Sequence, residues 1–340
     1  MSQTPGANTL SRRQSLYWLG ALSSLGVPAR AQPSPSAPPP ATDNRLLRVV
    51  VPFAPGNLID TALRQVADIF RLSGGDKLLI DNRPGGLGGI AAQQVAQAAA
   101  DGRTLLLSTP GILSINPHTV RKLPYDSEKS FRSVTLLLSS SMVLAVSSKV
   151  PARQLTEFAN WARAHPRDAT YASFTAGNTS HFAGVILNQR LGLNLVHVPY
   201  NGTPQAVQNL VGGQVDAAFL PLLSVLPHLA SGRLRVLAVT RPDRSPLLPE
   251  APTFRELGYP ELEMGIWAGI SAPAATPDAT IDQLNGSFVR ALNSPQLRER
   301  WASLDLTPTP STPDEMARFL KAESSRWKAA VQASGFNHEP

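Results

Sequence analysis

The fold is decided by residues 46–61, which read LLRVVVPFAPGNLIDT. The run Leu47–Val51 is typical of a buried strand, and Pro55 and Gly56 then force a loop. A helical stretch is predicted from about Asp60 to Leu72. Ligands of α/β sheets bind in such loops, between the carboxyl end of a strand and a helix N-terminus, where free backbone N–H groups favour an anion.

The same alternation of strand and helix continues outward in two series. The first series predicts strands at 47–51, 77–81 and 104–108, with helices near 60–72 and 88–99. The second series predicts strands at 170–173, 196–199, 215–219 and 235–240, with helices near 180–191 and 204–211. This rhythm is typical of a parallel sheet with helices on both faces. We therefore predict two α/β lobes.

Two longer runs are predicted to connect the lobes. Residues 134–146 are long enough to leave one lobe and enter the other, and residues 262–271 are expected to return. Helices near 279–292 and 313–333 are expected to pack back on the first lobe, which is then discontinuous. The predicted boundaries are 45–138 and 268–340 for lobe 1, and 139–267 for lobe 2.

The composition fits a globular chain and excludes some classes. Of its 340 residues, 42% are hydrophobic and 16% are charged, which is enough for a substantial core. The net charge is +7, but the basic residues are scattered, so no nucleic-acid partner is expected. The absence of cysteine excludes disulfides. The histidines show neither an i, i+4 pair nor a His-Glu-x-x-His pattern, so no metal site is expected.

The N-terminus is typical of an export signal. Arg12 and Arg13 precede the apolar run Leu16–Val27 and a small-x-small cleavage site that ends at Ala31. The run is shorter than the roughly 20 residues that a membrane-spanning helix needs. We predict a cleaved, twin-arginine-like signal peptide at 1–31, with the general secretory route left open, and a periplasmic protein. A proline-rich linker is predicted at 32–44.

Two motifs suggest other functions, dinucleotide binding and hydrolysis, but the sequence context of each motif argues against that function. Gly86-x-Gly88-x-x-Ala91 is close to a dinucleotide fingerprint, but it follows the second strand instead of the first, so no cofactor is expected. Ser180 beside His181 suggests a hydrolase. However, adjacent residues on a helix do not face one another, and no Gly-x-Ser-x-Gly motif occurs. We expect no enzymatic activity and no catalytic residue.

A set of short segments, in one order along the chain, carries a family resemblance. They are Val50–Gly56, Asn82–Gly85, Ala100–Leu107, Asn116–Pro117, Leu123–Asp126, Val196–Gly202, Gly213–Asp216, Leu237–Thr240 and Ser271–Pro273. Through them, residues 46–336 resemble the Bug family of tripartite tricarboxylate transporter substrate-binding proteins.

The resemblance implies a two-lobed periplasmic binding protein of the type II-like class, with two α/β lobes joined by two crossover strands. It implies a receptor, expected to be a monomer, that captures a small organic acid and delivers it to the permease subunits of a tripartite tricarboxylate-type transporter. The ligand-binding residues carried over are Phe53, Pro55, Gly56, Asn57, Asp60, Ser108, Thr109, Ala176, Gly177, Asn178, Thr179, Ser180, Tyr200 and Gly202. A periplasmic hydrolase or isomerase on the same scaffold and a ligand-sensing partner of a signalling kinase remain alternatives.

The chain departs from the family pattern at the ligand loops. Leu58 and Ile59 stand where small or hydroxyl residues are common, and Leu220 stands where Asp or Asn often follows the Phe. The wall near the ligand is then more apolar than usual. An aromatic or branched monocarboxylate and a dicarboxylate are both compatible with it.

Overall fold

A computed structural model of the protein describes residues 46–73 and 76–336. The predicted signal peptide, residues 1–31, and the proline-rich linker, residues 32–44, lie outside the described residues. Within the described part of the chain, no helix is both long enough and apolar enough to cross a membrane.

Strands and helices alternate along most of the described chain. The strands are β1 (Leu46–Val51), β2 (Lys77–Asn82), β3 (Thr104–Ser108), β4 (Phe131–Ser147), β5 (Thr170–Ser173), β6 (Val196–Pro199), β7 (Ala217–Pro221), β8 (Leu234–Val239), β9 (Gly265–Pro273) and β10 (Leu306–Pro308). The helices are α1 (Leu58–Leu72), α2 (Gly89–Ala96), α3 (Asn116–Thr119), α4 (Leu155–Ala164), α5 (Thr179–Leu191), α6 (Thr203–Val211), α7 (Leu222–Leu229), α8 (Asp278–Leu292), α9 (Pro295–Ala302) and α10 (Pro313–Ser334). A π-helical turn, Gly111–Ile115, precedes α3.

The first half of the described chain contains a parallel βαβαβ unit. β1 lies in the middle and pairs in parallel with β2 and with β3. Consecutive side chains of a strand point to opposite faces. Val49 accordingly packs in one hydrophobic core and Val50 in another. β1 is therefore buried on both faces, as strands of parallel sheets generally are.

The second half repeats this arrangement. β5 lies in the middle and pairs in parallel with β6 and β7. Helix α5 connects β5 to β6, and helix α6 connects β6 to β7. The predicted parallel series are thus confirmed for β1–β3 and for β5–β7. The strand predicted at 235–240 as a further member of the second series is β8, and it pairs antiparallel with β4.

The two halves are joined through β4 and β9. β4 pairs with β9 along residues 131–141, and residues 142–147 pair with β7 and β8. On its other side β9 pairs with β3. This confirms the predicted class, a two-lobed α/β fold with two crossover strands. The predicted lobe boundaries after residues 138 and 267 stay predictions.

The C-terminal helix α10 packs against both halves. Near its start, Met316 lies against Gly269 of β9. Near its end, Trp327 and Val331 lie in one hydrophobic core with Phe182 of α5. The sequence predicted contacts with the first lobe, and the contacts with the second half were not predicted. α10 thus supports helix α5 through this shared core.

Candidate ligand-binding site

A cavity of about 480 Å³ lies where loops from both halves meet. The predicted ligand-binding residues that line it are Phe53, Asn57, Thr109, Ala176, Gly177, Asn178, Thr179 and Gly202. They follow the carboxyl ends of β1, β3, β5 and β6. The structure therefore brings together loops that are far apart in the sequence. Whether these residues contact a ligand stays a prediction.

Three helices begin at the cavity. Asn57, Asn178 and Gly202 are the N-cap residues of α1, α5 and α6. Oδ1 of Asn57 accepts a hydrogen bond from the Asp60 N–H at 2.8 Å. Oδ1 of Asn178 accepts one from the Ser180 N–H at 3.0 Å. The first N–H groups of a helix lack intrahelical acceptors and carry the positive end of its dipole. The two halves thus both contribute positive potential to the cavity.

Three threonines of the cavity wall add hydroxyl donors. They are Thr109, Thr179 and Thr203. Thr109 and Thr179 are each only 6% exposed. Among the described residues, none of the three hydroxyl groups has a hydrogen-bond partner. A carboxylate in the cavity would accept hydrogen bonds from them.

The rest of the wall is mostly hydrocarbon, and much of it was not predicted. Leu58 and Ile59 line it, as the family departures indicated. The lining residues that sequence reasoning missed include Leu87, Ile112, Asn116, Ile266 and Trp267. The last two lie on β9, and the prediction that this strand passes between the lobes was a usable signal for them. The lining residues of the described chain include no charged side chain and no histidine.

Asp60, a predicted binding residue, holds the first loop in shape. Its fully buried carboxylate accepts hydrogen bonds from the Gly56 N–H at 2.8 Å, from Nε of Arg64 at 3.0 Å and from Nδ2 of Asn82 at 2.8 Å. Burial would raise the pKa of Asp60, but these hydrogen bonds outweigh it and lower the pKa below its ordinary value. Asp60 is therefore a charged support for the loop that carries Asn57. Pro55 and Gly56 belong to that loop and lie outside the cavity wall.

The other predicted residues outside the wall also make internal contacts. Ser108 Oγ lies 2.7 Å from Ser271 Oγ, a contact that links β3 to β9. Ser180 Oγ donates to Oδ1 of Asn178 at 2.7 Å. Tyr200 packs on the core of the second half, and burial raises the pKa of its phenol. These residues shape the site from behind its wall.

Two stacked histidines lie behind the loop that ends at Thr179. The rings of His181 and His197 are 3.9 Å apart between centroids, with an interplanar angle of 11°. Nδ1 of His181 accepts a hydrogen bond from the Gly177 N–H at 3.2 Å, so this nitrogen carries no proton. Burial lowers the pKa of both histidines to about 4, and for His181 repulsion from His197 adds to the effect. Both rings are therefore neutral at neutral pH.

Acidification is expected to destabilise the protein through this pair. Between pH 6.5, the ordinary value, and about 4, the unfolded histidines bind protons that the folded ones do not. The free energy of unfolding therefore falls as the pH drops through this window, with a contribution from His181 on the order of 3 kcal/mol. Urea unfolding at pH 7, 5.5 and 4.5 measures this loss.

A matched pair of variants separates this effect from general acid destabilisation. In His181→Asn the side-chain oxygen can still accept from the Gly177 N–H but does not titrate, so the loss below pH 6.5 should shrink. His165→Gln, at an exposed histidine after α4, is the matched control for the removal of one imidazole. Parallel pH curves for the wild type and His181→Asn would show that the stacked pair is not responsible.

A cavity that receives loops from two α/β halves, joined by two strands, is typical of two-lobed solute-binding proteins. The family model described as tripartite tricarboxylate transporter family receptor, TctC, matches residues 62–336. The chain therefore belongs to this family of solute-binding receptors, and the resemblance to the Bug proteins is confirmed.

Individual relatives match this chain over nearly their whole length. The protein BugT of Bordetella pertussis is 31% identical over 316 residues, which cover 93% of this chain and 94% of BugT. The structure of R. palustris Rpa4515 with adipate is 30% identical, with a TM-score of 0.76, and covers 87% of this chain and 99% of that one. MatC of Rhodopseudomonas palustris with bound malate is 33% identical, with a TM-score of 0.70, and covers 84% of this chain and 99% of MatC.

Proposed function

We propose that the protein is a periplasmic receptor that captures a small organic acid and delivers it to the permease subunits of a tripartite tricarboxylate-type transporter. One observation carries this proposal: three helix N-termini and three threonine side chains meet at one cavity. Such a site favours an anion with hydrogen-bond acceptors. Adipate in Rpa4515 and malate in MatC support a carboxylate as that anion.

The donors of the site come from both halves. Oδ1 of Asn57 and of Asn178 caps a helix, which leaves Nδ2 of each amide to donate to a carboxylate. Thr179 and Thr203 add their hydroxyl groups. Closure of the lobes about β4 and β9 would exclude water, and charge-assisted hydrogen bonds become stronger when water is excluded. We propose that both loops bind the same carboxylate.

Retention of the acid without turnover is proposed because the cavity has no acid–base machinery. Among the described residues that line it, none is a histidine, carboxylate, lysine or cysteine. Ser180 donates to Asn178, and Nδ1 of His181 accepts from Gly177, so the two residues do not form a nucleophile–base pair. This disfavours the hydrolase or isomerase alternative. A signalling receptor would use the same cavity and differ only in its membrane partner.

The remaining parts of the proposal concern the form of the protein in the cell. We propose a monomer without metal or cofactor, exported with cleavage after Ala31. The small-x-small pattern before residue 32 supports this cleavage point.

A thermal-shift screen of mono-, di- and tricarboxylates tests the binding proposal. An acid that binds only the folded protein adds about 2.7 kcal/mol at 100 times its Kd, which raises the melting temperature measurably. We expect at least one acid to do so, and NMR of the mixture after a day to show that acid unchanged. No stabilising acid in the screen, or conversion of the stabilising acid, would contradict the receptor proposal.

A further inference from the structure

The polar donors of the cavity wall are concentrated at the starts of helices. Of the wall's other polar side chains, Asn116 donates through Nδ2 to the Leu87 carbonyl at 2.9 Å. The hydroxyl of Thr175 donates a hydrogen bond to the carbonyl oxygen of Phe174. These two groups are therefore engaged within the protein. The side-chain donors of the described wall that remain for a ligand are therefore those near the helix N-termini.

Trp267 contributes only carbon to the wall. Its Nε1 donates to Oε2 of Glu323 on α10 at 3.0 Å, and the residue is 4% exposed. Phe319 packs edge-on against it, with ring centroids 5.3 Å apart. The one polar atom of the indole is thus used away from the cavity. Together with Phe53 and Phe174, Trp267 gives the wall three aromatic side chains.

We infer that the ligand is a monocarboxylate with an apolar body and no second charged group. The inference rests on the proposed function, since it concerns the same cavity. No residue on the described part of its wall carries a charge. A second carboxylate among these side chains would lose its hydration without gaining a partner of opposite charge. An apolar body instead gains from every contact that removes it from water.

Leu58 and Ile59 are the side chains that set this preference. They form the first turn of α1, directly after the N-cap Asn57, and both are half-buried in the cavity wall. The N–H groups of this turn favour the carboxylate, whereas its side chains offer only hydrocarbon. The part of the ligand next to its carboxylate therefore meets hydrocarbon.

Calorimetry with matched acids tests the inference. Benzoate and terephthalate share one body, as do hexanoate and adipate, and the second acid of each pair adds a carboxylate. We expect the monoacid of each pair to bind at least tenfold more tightly than its diacid. Equal or tighter binding of terephthalate or adipate would overturn the inference and leave the receptor proposal standing. Binding by none of the four acids would count against both.

A double variant assigns the preference to the two side chains. Leu58→Ser together with Ile59→Thr should weaken binding of the monoacid at least fivefold. The ratio between the affinities for the monoacid and the diacid should fall as well. The matched control is Leu72→Ser, at the other end of α1, where the side chain is 63% exposed and outside the cavity wall. Leu72→Ser should bind the monoacid and the diacid with the same affinities as the wild type. An unchanged ratio of affinities in the double variant would overturn the role of Leu58 and Ile59.

Discussion

Replacing Trp327 with alanine is expected to lower the free energy of unfolding by about 3–5 kcal/mol. The side chain is fully buried in the core that α10 shares with α5. Its ring centroid lies 6.2 Å from that of Phe182, and its Nε1 donates to Oε2 of Glu323 at 3.1 Å. Truncation therefore leaves a cavity and removes one of the donors to a buried carboxylate.

Urea unfolding of the variant measures this loss, and Trp161→Ala is its control. Trp161 lies on α4, is half-buried and stacks on Phe158 with centroids 6.1 Å apart. Because its loss creates little internal space, we expect a loss of only about 1 kcal/mol. Equal losses for the two variants would contradict the conclusion that α10 anchors the second half through Trp327.

Thr179→Asp is expected to weaken binding of the organic acid at least 100-fold while leaving the fold as stable as the wild type. Thr179 is the first residue of α5, where a carboxylate interacts favourably with the helix dipole. The same carboxylate would repel that of the ligand, by about 4 kcal/mol at 4 Å for an effective dielectric constant of about 20. Binding of the acid should therefore weaken while the stability of the fold is unchanged.

The control for this variant is the same substitution at another helix start. Thr312→Asp changes the N-cap of α10, which lies outside the cavity wall, and aspartate is also a good N-cap. Its affinity for the acid, measured by calorimetry, should equal that of the wild type. Wild-type affinity in Thr179→Asp would place the acid outside this cavity.

The fold was predictable from the sequence where turn-forming residues such as glycine and proline flank short apolar runs. The strands predicted at 104–108, 170–173 and 196–199 have the observed bounds. Helix α4 was not predicted, although its buried residues Leu155, Phe158, Ala159 and Ala162 have helical spacing. Helix α7 was not predicted either, since it contains Pro227, and proline inside a helix costs a hydrogen bond.

The site was predictable at its loops and not at its apolar wall. Glycine and proline after a strand mark a loop, which is why the loops that carry Asn57 and Gly177 were predictable, and both residues line the cavity. Ile112 and Trp267 come to the cavity through tertiary packing, and no local pattern distinguishes them from core residues. Conversely, the carboxylate of Asp60 and the hydroxyl of Ser180 could bind a ligand by their chemistry, but both make hydrogen bonds within the protein. Only the hydrogen-bond partners reveal that difference.

Mass spectrometry of the small molecules released when gently purified protein is denatured shows whether the cavity holds an organic acid. We expect a carboxylic acid, close to one per chain, from the wild type and its loss from Thr179→Asp purified in parallel. Release of no carboxylic acid from the wild type, or of the same acid in equal amounts from both proteins, would contradict this expectation.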